Sequence, residues 1–101
     1  MADNETVRFE WDLEKEKANI KKHGLSFGDA TTLFTSGEDY LEIYDKEHSE
    51  DEDRFIAIGP STRGIIIVVV YTEGTEDSVR IISCRLATKK ETRLFREQEK
   101  S

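Results

Sequence analysis

Apolar and charged residues alternate over Val7-Arg8-Phe9-Glu10-Trp11. That is the pattern of a strand with one buried face, and its shortness predicts an edge position. The rhythm then lengthens. Asp12 is suited to cap a helix, and Leu13, Lys17 and Ile20, with Ala18 and Lys21, make one weakly apolar stripe that stops at Gly24. Ser26 followed three residues later by Asp29 reads as the start of a second helix, with Phe27, Ala30, Leu33 and Phe34 at helical spacing to about Thr35.

Beyond Thr35 the rhythm is that of strands. Ser36-Gly37-Glu38-Asp39 reads as a turn, Tyr40 to Tyr44 as a strand and the acidic stretch Asp45 to Asp53 as a loop. Arg54 to Gly59 predicts a strand closed by the turn Gly59 to Gly64. The uninterrupted run Ile65 to Tyr71 suits a central strand covered on both faces. Glu73 to Ser78 is the next turn and Val79 to Cys84 the last strand. From Thr88, with Glu91 at the capping-box position, a basic helix carrying Leu94 and Phe95 runs to the end of the chain.

Connections are short, and there is no repeat or linker. The expectation is one α+β domain over residues 1–101: an antiparallel sheet of four or five strands, the helices of residues 12 to 35 on one face, and a C-terminal helix. Residues 1–6 are polar and without period, and read as a flexible tail.

Composition refines this picture in two ways. The chain has one cysteine, Cys84, and no N-terminal apolar stretch precedes its first charges, which predicts a cytoplasmic protein. No apolar run approaches the ~20 residues of a membrane span. The net charge of −7 argues against a nucleic-acid partner until it is located. Glu38 to Arg54 holds nine acidic and two basic residues, so this segment alone carries −7. Val79 to Ser101 holds seven basic residues against three acidic ones and carries +4. One end of the chain is equipped to face phosphate.

Candidate chemistry begins with absences. The sequence lacks a Gly-rich phosphate loop, a Cys/His cluster, a His-Glu-x-x-His and a Gly-x-Ser-x-Gly. The acidic loop lacks the glycine and terminal glutamate of an EF-hand, so it reads as a solvated surface with no metal. His23 stands at a helix end, either complementing the helix dipole or serving as a general base or acid; His48, in the acidic loop, reads as a surface residue. Arg54, Arg80 and Arg85 lie in or beside strands, where guanidinium groups are held in fixed positions. Tyr71 is either a base-stacking or phosphate-donating residue, or a buried aromatic with a wet tip.

Four segments in order resemble the BrnT toxin family: Phe9-Glu10-Trp11-Asp12; Asn19-x-x-Lys22-His23-Gly24-Leu25-Ser26-Phe27 with Ala30 and Phe34; Glu52-x-Arg54-Phe55-x-x-Ile58-Gly59; and Val68-Val69-Val70-Tyr71-Thr72 leading into Arg80-Ile81-Ile82-Ser83-Cys84-Arg85-x-Ala87-Thr88. The resemblance implies a RelE-like twisted sheet with packed helices and a cytoplasmic ribonuclease toxin of a type II toxin–antitoxin system. It further implies RNA cleavage without metal or other cofactor, and a cognate BrnA-like ribbon-helix-helix antitoxin through which alone DNA is met. On this reading Arg54 and Arg80 or Arg85 hold the scissile phosphate, His23 or Tyr71 assists proton transfer or stacking, and Lys22, Thr88, Lys89, Lys90 and Arg93 bind RNA. Arg85, ending the last strand beside Thr88, Lys89 and Lys90, is expected to matter for cleavage and little for stability. Two departures stand out: Lys89, Lys90 and Phe95 where the family tends to an Arg-rich helix ending in tyrosine, and Cys84 where a small residue is usual. The rival readings are a non-enzymatic domain that docks an antitoxin as co-repressor, and a standalone stress protein without a partner.

Overall fold

A computed structural model describes residues 7–74 and 77–99; the expected tail at residues 1–6 lies outside the described residues. The order of elements is β1 (Arg8–Glu10), α1 (Leu13–His23), α2 (Phe27–Thr35), β2 (Leu41–Tyr44), a single 3₁₀ turn (Lys46–His48), β3 (Arg54–Pro60), β4 (Ile66–Glu73), β5 (Ser78–Leu86) and α3 (Lys89–Glu99). The five strands form one sheet in the order β1-β5-β4-β3-β2, which places β4 at the centre as its β-branched run requires. The fold is α+β, and β2 to β5 are antiparallel neighbours. The edge strand β1 joins β5 in parallel. Alternation along Val7–Trp11 specifies a half-buried strand but not the direction of its partner, and most of the chain lies between the two strands, ample for a parallel crossover.

The helix ends are closed by the side chains expected from the sequence. Asp12 accepts from the amides of Glu14 (2.8 Å) and Lys15 (3.2 Å), and Gly24 ends α1 in the left-handed conformation at φ 76°. Ser26 and Asp29 form a complete capping box at the start of α2. Glu16 joins the two helices: one carboxylate oxygen accepts from the Trp11 indole (3.2 Å), the other from the Phe27 amide (2.9 Å).

The main core lies between α2 and one face of the sheet. Leu25, Phe27, Ala30 and Leu33 pack against Ala57, Ile67, Val69, Tyr71, Ile81 and Cys84. Each large side chain buried there contributes roughly 1.5–3 kcal/mol. The single buried residue of α1 is Asn19. Its Nδ2 donates to the carbonyls of Leu25 (2.9 Å) and Cys84 (2.7 Å), and its Oδ1 accepts from the Cys84 amide (3.0 Å). A polar clamp therefore holds α1 along β5 beyond the short stretch that β1 covers. On the opposite face Phe95 of α3 packs on Ile58 and Val68.

An irregularity in β5 decides which of its side chains reach each face. Val70 pairs with Ser83 but Tyr71 pairs with Ile81, so Ile82 is an extra residue, a β-bulge. Because of it, Ile81 and Cys84 both enter the main core, at 1% and 0% exposure. Arg80, Ser83 and Arg85 share the other face. Without the bulge, strict alternation would place Arg80 and Arg85 on opposite faces.

Candidate functional site

Strand register assembles the site. Arg54 of β3 lies opposite Thr72 of β4, Thr72 opposite Arg80 of β5, and Arg80 opposite Glu10 of β1. Residues directly opposite in a sheet project from the same face, so Glu10, Arg80, Thr72 and Arg54 form one row across four strands. Thr72 is buried in the middle of the row. The row ends in a groove of about 340 Å³ lined by Glu10, Trp11, Asp12, Lys15, Glu52, Arg54, Arg80, Ile81 and Ile82. That volume falls within the ~300–1,000 Å³ typical of small-ligand sites.

The electrostatics of the groove are mixed rather than basic. Arg54, Arg80 and Lys15 face Glu10, Asp12 and Glu52. Asp12 is occupied in capping α1. The Nε of Arg54 is buried and has no hydrogen-bond partner among the described residues. Such a donor is costly to leave unpaired.

A second, shallower groove of about 230 Å³ continues along α1. It is lined by Lys15, Ala18, Asn19, Lys22, His23, Ile82 and Ser83, so Lys15 borders both. On its other flank Arg54 also borders a basin of about 310 Å³ lined by Glu47, His48, Glu50, Asp51 and Glu52. Within this acidic loop His48 Nδ1 pairs with Asp45 at 3.0 Å. Arg54 thus stands on the divide between an acidic basin and a groove carrying cations.

The residues singled out from the sequence fall into three groups. Arg54 and Arg80 are brought together. Lys22 and His23 sit in the neighbouring groove along α1. The others lie elsewhere. Tyr71 projects from the opposite face of the sheet and is 2% exposed, with its ring edge-on to Phe34 at 5.0 Å and stacked on Phe55 at 5.7 Å. Its hydroxyl donates to Glu42, and burial first, then that hydrogen bond, raises its pKa well above the usual phenol range, so it stays protonated. Tyr71 is a buried aromatic whose hydroxyl is taken up by Glu42, away from the arginine row.

Arg85 is engaged with a partner. Its two terminal nitrogens donate to both oxygens of Glu91 at 2.8 Å each. Glu91 also accepts from the Thr88 amide (2.9 Å) while its own amide donates to Thr88 Oγ1 (3.1 Å), completing a capping box. The Arg85 hydrogen bonds, followed by those from Thr88, hold the Glu91 carboxyl down at about 2 despite partial burial. Arg85 and Thr88 therefore join α3 to β5. Lys89, Lys90 and Arg93 are exposed on α3 and do not line the groove. Cys84 is core, its thiol pushed up to about 12 by burial.

Sequence reasoning missed Lys15 and Glu52 as site residues. Lys15 carried a signal: a cation in the first turn of a helix opposes the macrodipole, a local conflict of the kind expected where a residue serves a site. Glu52 opens the segment Glu52-x-Arg54 that carries the family resemblance, but within a run of like charges it reads as solvated surface. Among the described residues, no group of three or more His, Cys, Asp or Glu side chains is placed to hold a metal ion, and no helix is long and apolar enough to cross a membrane.

A family model described as the ribonuclease toxin BrnT of type II toxin–antitoxin systems matches residues 11–91, a span that includes every groove residue except Glu10. The 1.1 Å crystal structure of the Brucella abortus ribonuclease toxin BrnT is similar at a TM-score of 0.63 and 29% sequence identity, over 83% of this chain and 100% of that one. A shorter stretch of 60 residues is 38% identical to an adenine phosphoribosyltransferase of Clostridium beijerinckii, covering 55% of this chain and 35% of that protein. The chain thus spans about a third of the length of that curated relative.

Proposed function

The chain belongs to the family of BrnT ribonuclease toxins of type II toxin–antitoxin systems, and from that premise we propose that it cleaves RNA without a metal, gripping the scissile phosphate between Arg54 and Arg80. The observation that carries this reading is the arginine row: two guanidinium groups flank the buried Thr72, and one has a buried Nε without a protein acceptor. RNA supplies its own nucleophile, the 2′-hydroxyl. The protein's task is to orient that group and to stabilise the extra negative charge on the five-coordinate phosphate. Fixed arginines meet this need with side-chain charge alone, which supports a reaction independent of metal. In this reading Lys22 and His23, which line the adjoining groove, guide the flanking nucleotides. Lys89, Lys90 and Arg93 on α3 contribute longer-range attraction for the RNA backbone.

Membership in a type II system implies an antitoxin partner. In our reading it is a BrnA-like ribbon-helix-helix protein that neutralises the toxin in the cytoplasm and supplies the complex's only contact with DNA. The test is incubation of the purified single-domain chain with RNA in excess chelator. Cleavage that persists there, and is lost in Arg54→Ala and Arg80→Ala, is the expected result. If the chain binds its antitoxin yet leaves RNA intact with and without added metal, the non-enzymatic co-repressor reading replaces this one.

A further inference from the structure

We infer that Glu52 is the general base of this ribonuclease and Lys15 its general acid, an assignment that rests on the phosphate-clamp reading of Arg54 and Arg80. Attack by a 2′-hydroxyl requires one group to remove its proton and another, across the phosphorus, to protonate the departing 5′-oxygen. Neither arginine can do so, because guanidinium does not deprotonate in proteins. Tyr71 is buried on the far face, and His23 lines the neighbouring groove. Of the groove's titratable residues, Asp12 already accepts two backbone amides. Glu10, Glu52 and Lys15 remain.

Geometry separates the two glutamates. The Glu10 carboxylate is turned toward the β4–β5 turn, with Oε2 only 3.4 Å from where a side chain on Gly74 would begin. Glu52 is exposed at the mouth of the groove, two residues before Arg54, and no hydrogen bond or ion pair engages it among the described residues. Lys15 enters from α1, contributed by a different part of the chain. Its neighbours Glu14 and Lys17 pair with each other at 3.5 Å, while no carboxylate pairs with Lys15 among the described residues. The groove thus offers an unpaired carboxylate, a pair of guanidinium groups and an unpaired ammonium.

The step balances with these groups alone. The 2′-oxygen forms a bond to phosphorus as the bond from phosphorus to the 5′-oxygen breaks. The 2′-hydroxyl proton passes to Glu52, and a Lys15 proton passes to the leaving oxygen. The products are a 2′,3′-cyclic phosphate and a 5′-hydroxyl, and both side chains return to their starting states by exchange with water.

A sulfur substitution at the leaving atom tests the assignment. RNA carrying a 5′-bridging sulfur expels a thiolate, which needs no acid. Glu52→Gln should cut both ordinary and sulfur-bridged RNA roughly 10²–10⁴-fold more slowly than the parent while still binding RNA. Lys15→Ala should be slowed comparably on ordinary RNA and return to near the parent rate on the sulfur-bridged substrate. His48→Ala, altering the one imidazole of the acidic basin, should cut at the parent rate. Glu52→Gln cutting at the parent rate, Lys15→Ala failing to recover on sulfur-bridged RNA, or activity depending on His48 instead would overturn the assignment while leaving the phosphate clamp in place. A parent protein inert on both RNAs would remove the clamp reading, and the assignment with it.

Discussion

Arg80 and Arg85 lie on the same strand and the same face, yet they occupy opposite chemical situations. Arg85 meets Glu91 in a two-pronged ion pair that also completes a helix cap. Arg80 opens on a groove beside Arg54, whose Nε has no protein acceptor among the described residues. A guanidinium already satisfied by a carboxylate contributes to architecture, because a substrate phosphate would first have to displace that carboxylate. One facing an open groove is available to an incoming anion. Residue type and strand position are shared, so the partner decides the role.

The comparison breaks most visibly in catalysis. Arg80→Ala should lower the rate of RNA cleavage about 100- to 1,000-fold, the cost of losing one preorganised charge stabiliser, with stability changed by about 0.5 kcal/mol or less. Single-turnover cleavage and thermal melts on the same preparation check both halves. If Arg80→Ala lowers the melting temperature and leaves cleavage intact, the two arginines have been assigned the wrong way round.

Arg85→Ala should do the reverse. It strands Glu91 and loosens the start of α3, for an expected loss of roughly 1–3 kcal/mol in stability, read by denaturant unfolding. Cleavage by the molecules still folded should stay within a few-fold of the parent. Arg85→Lys should fall between, since lysine keeps the charge but loses the fork. A cleavage defect as deep as that of Arg80→Ala, in a variant that remains folded, would return Arg85 to the phosphate.

The smallest effect is a pH dependence. The Glu91 carboxyl is held at about 2 in the folded chain, below the ordinary 4.5, so the unfolded chain binds its proton first as pH falls. The stabilisation is fully present above about pH 4.5 and is lost as pH drops through the folded value near 2. The pair is partly exposed and screened, so the contribution is about 1 kcal/mol. Comparing acid unfolding of the parent with that of Arg85→Ala isolates it, and the difference between the two should shrink across this window. Parallel stability curves from pH 5 to 2 would mean that the pair contributes little in solution.

Much of the fold could be read in the residues themselves. The caps at Asp12, at Ser26 with Asp29, and at Thr88 with Glu91 follow from local hydrogen bonding, which depends on neighbours in sequence. The central place of β4 follows from Ile65 to Tyr71 having no polar side to expose. What escaped depends on distant partners. The parallel pairing of Arg8–Glu10 with Ser78–Arg80 leaves no mark on either segment. The bulge at Ile82 has no Gly or Pro to announce it, yet it alone puts Arg80 and Arg85 on one face. Of the candidate site, the sequence offers Arg54 with Arg80 or Arg85, and the fold brings Arg80 to the groove that Arg54 lines. The engagement of Arg85 was not legible, although Thr88 and Glu91 had been recognised as a cap, because a capping glutamate has a second oxygen to offer and sequence does not say who takes it.

The groove draws its walls from residues 10–12, 15, 52, 54 and 80–82, and β1 joins the sheet through the start of β5 while Phe9 packs against Phe34. Contacts of such long sequence separation form late, after the intervening loop has been closed at an entropic cost. During synthesis, the chain has no second arginine to set beside Arg54 until Arg80 has been made. It also lacks the strand that anchors Glu10. On the arginine-clamp reading, the groove is therefore complete only once the last strand has been made and the first strand has docked beside it.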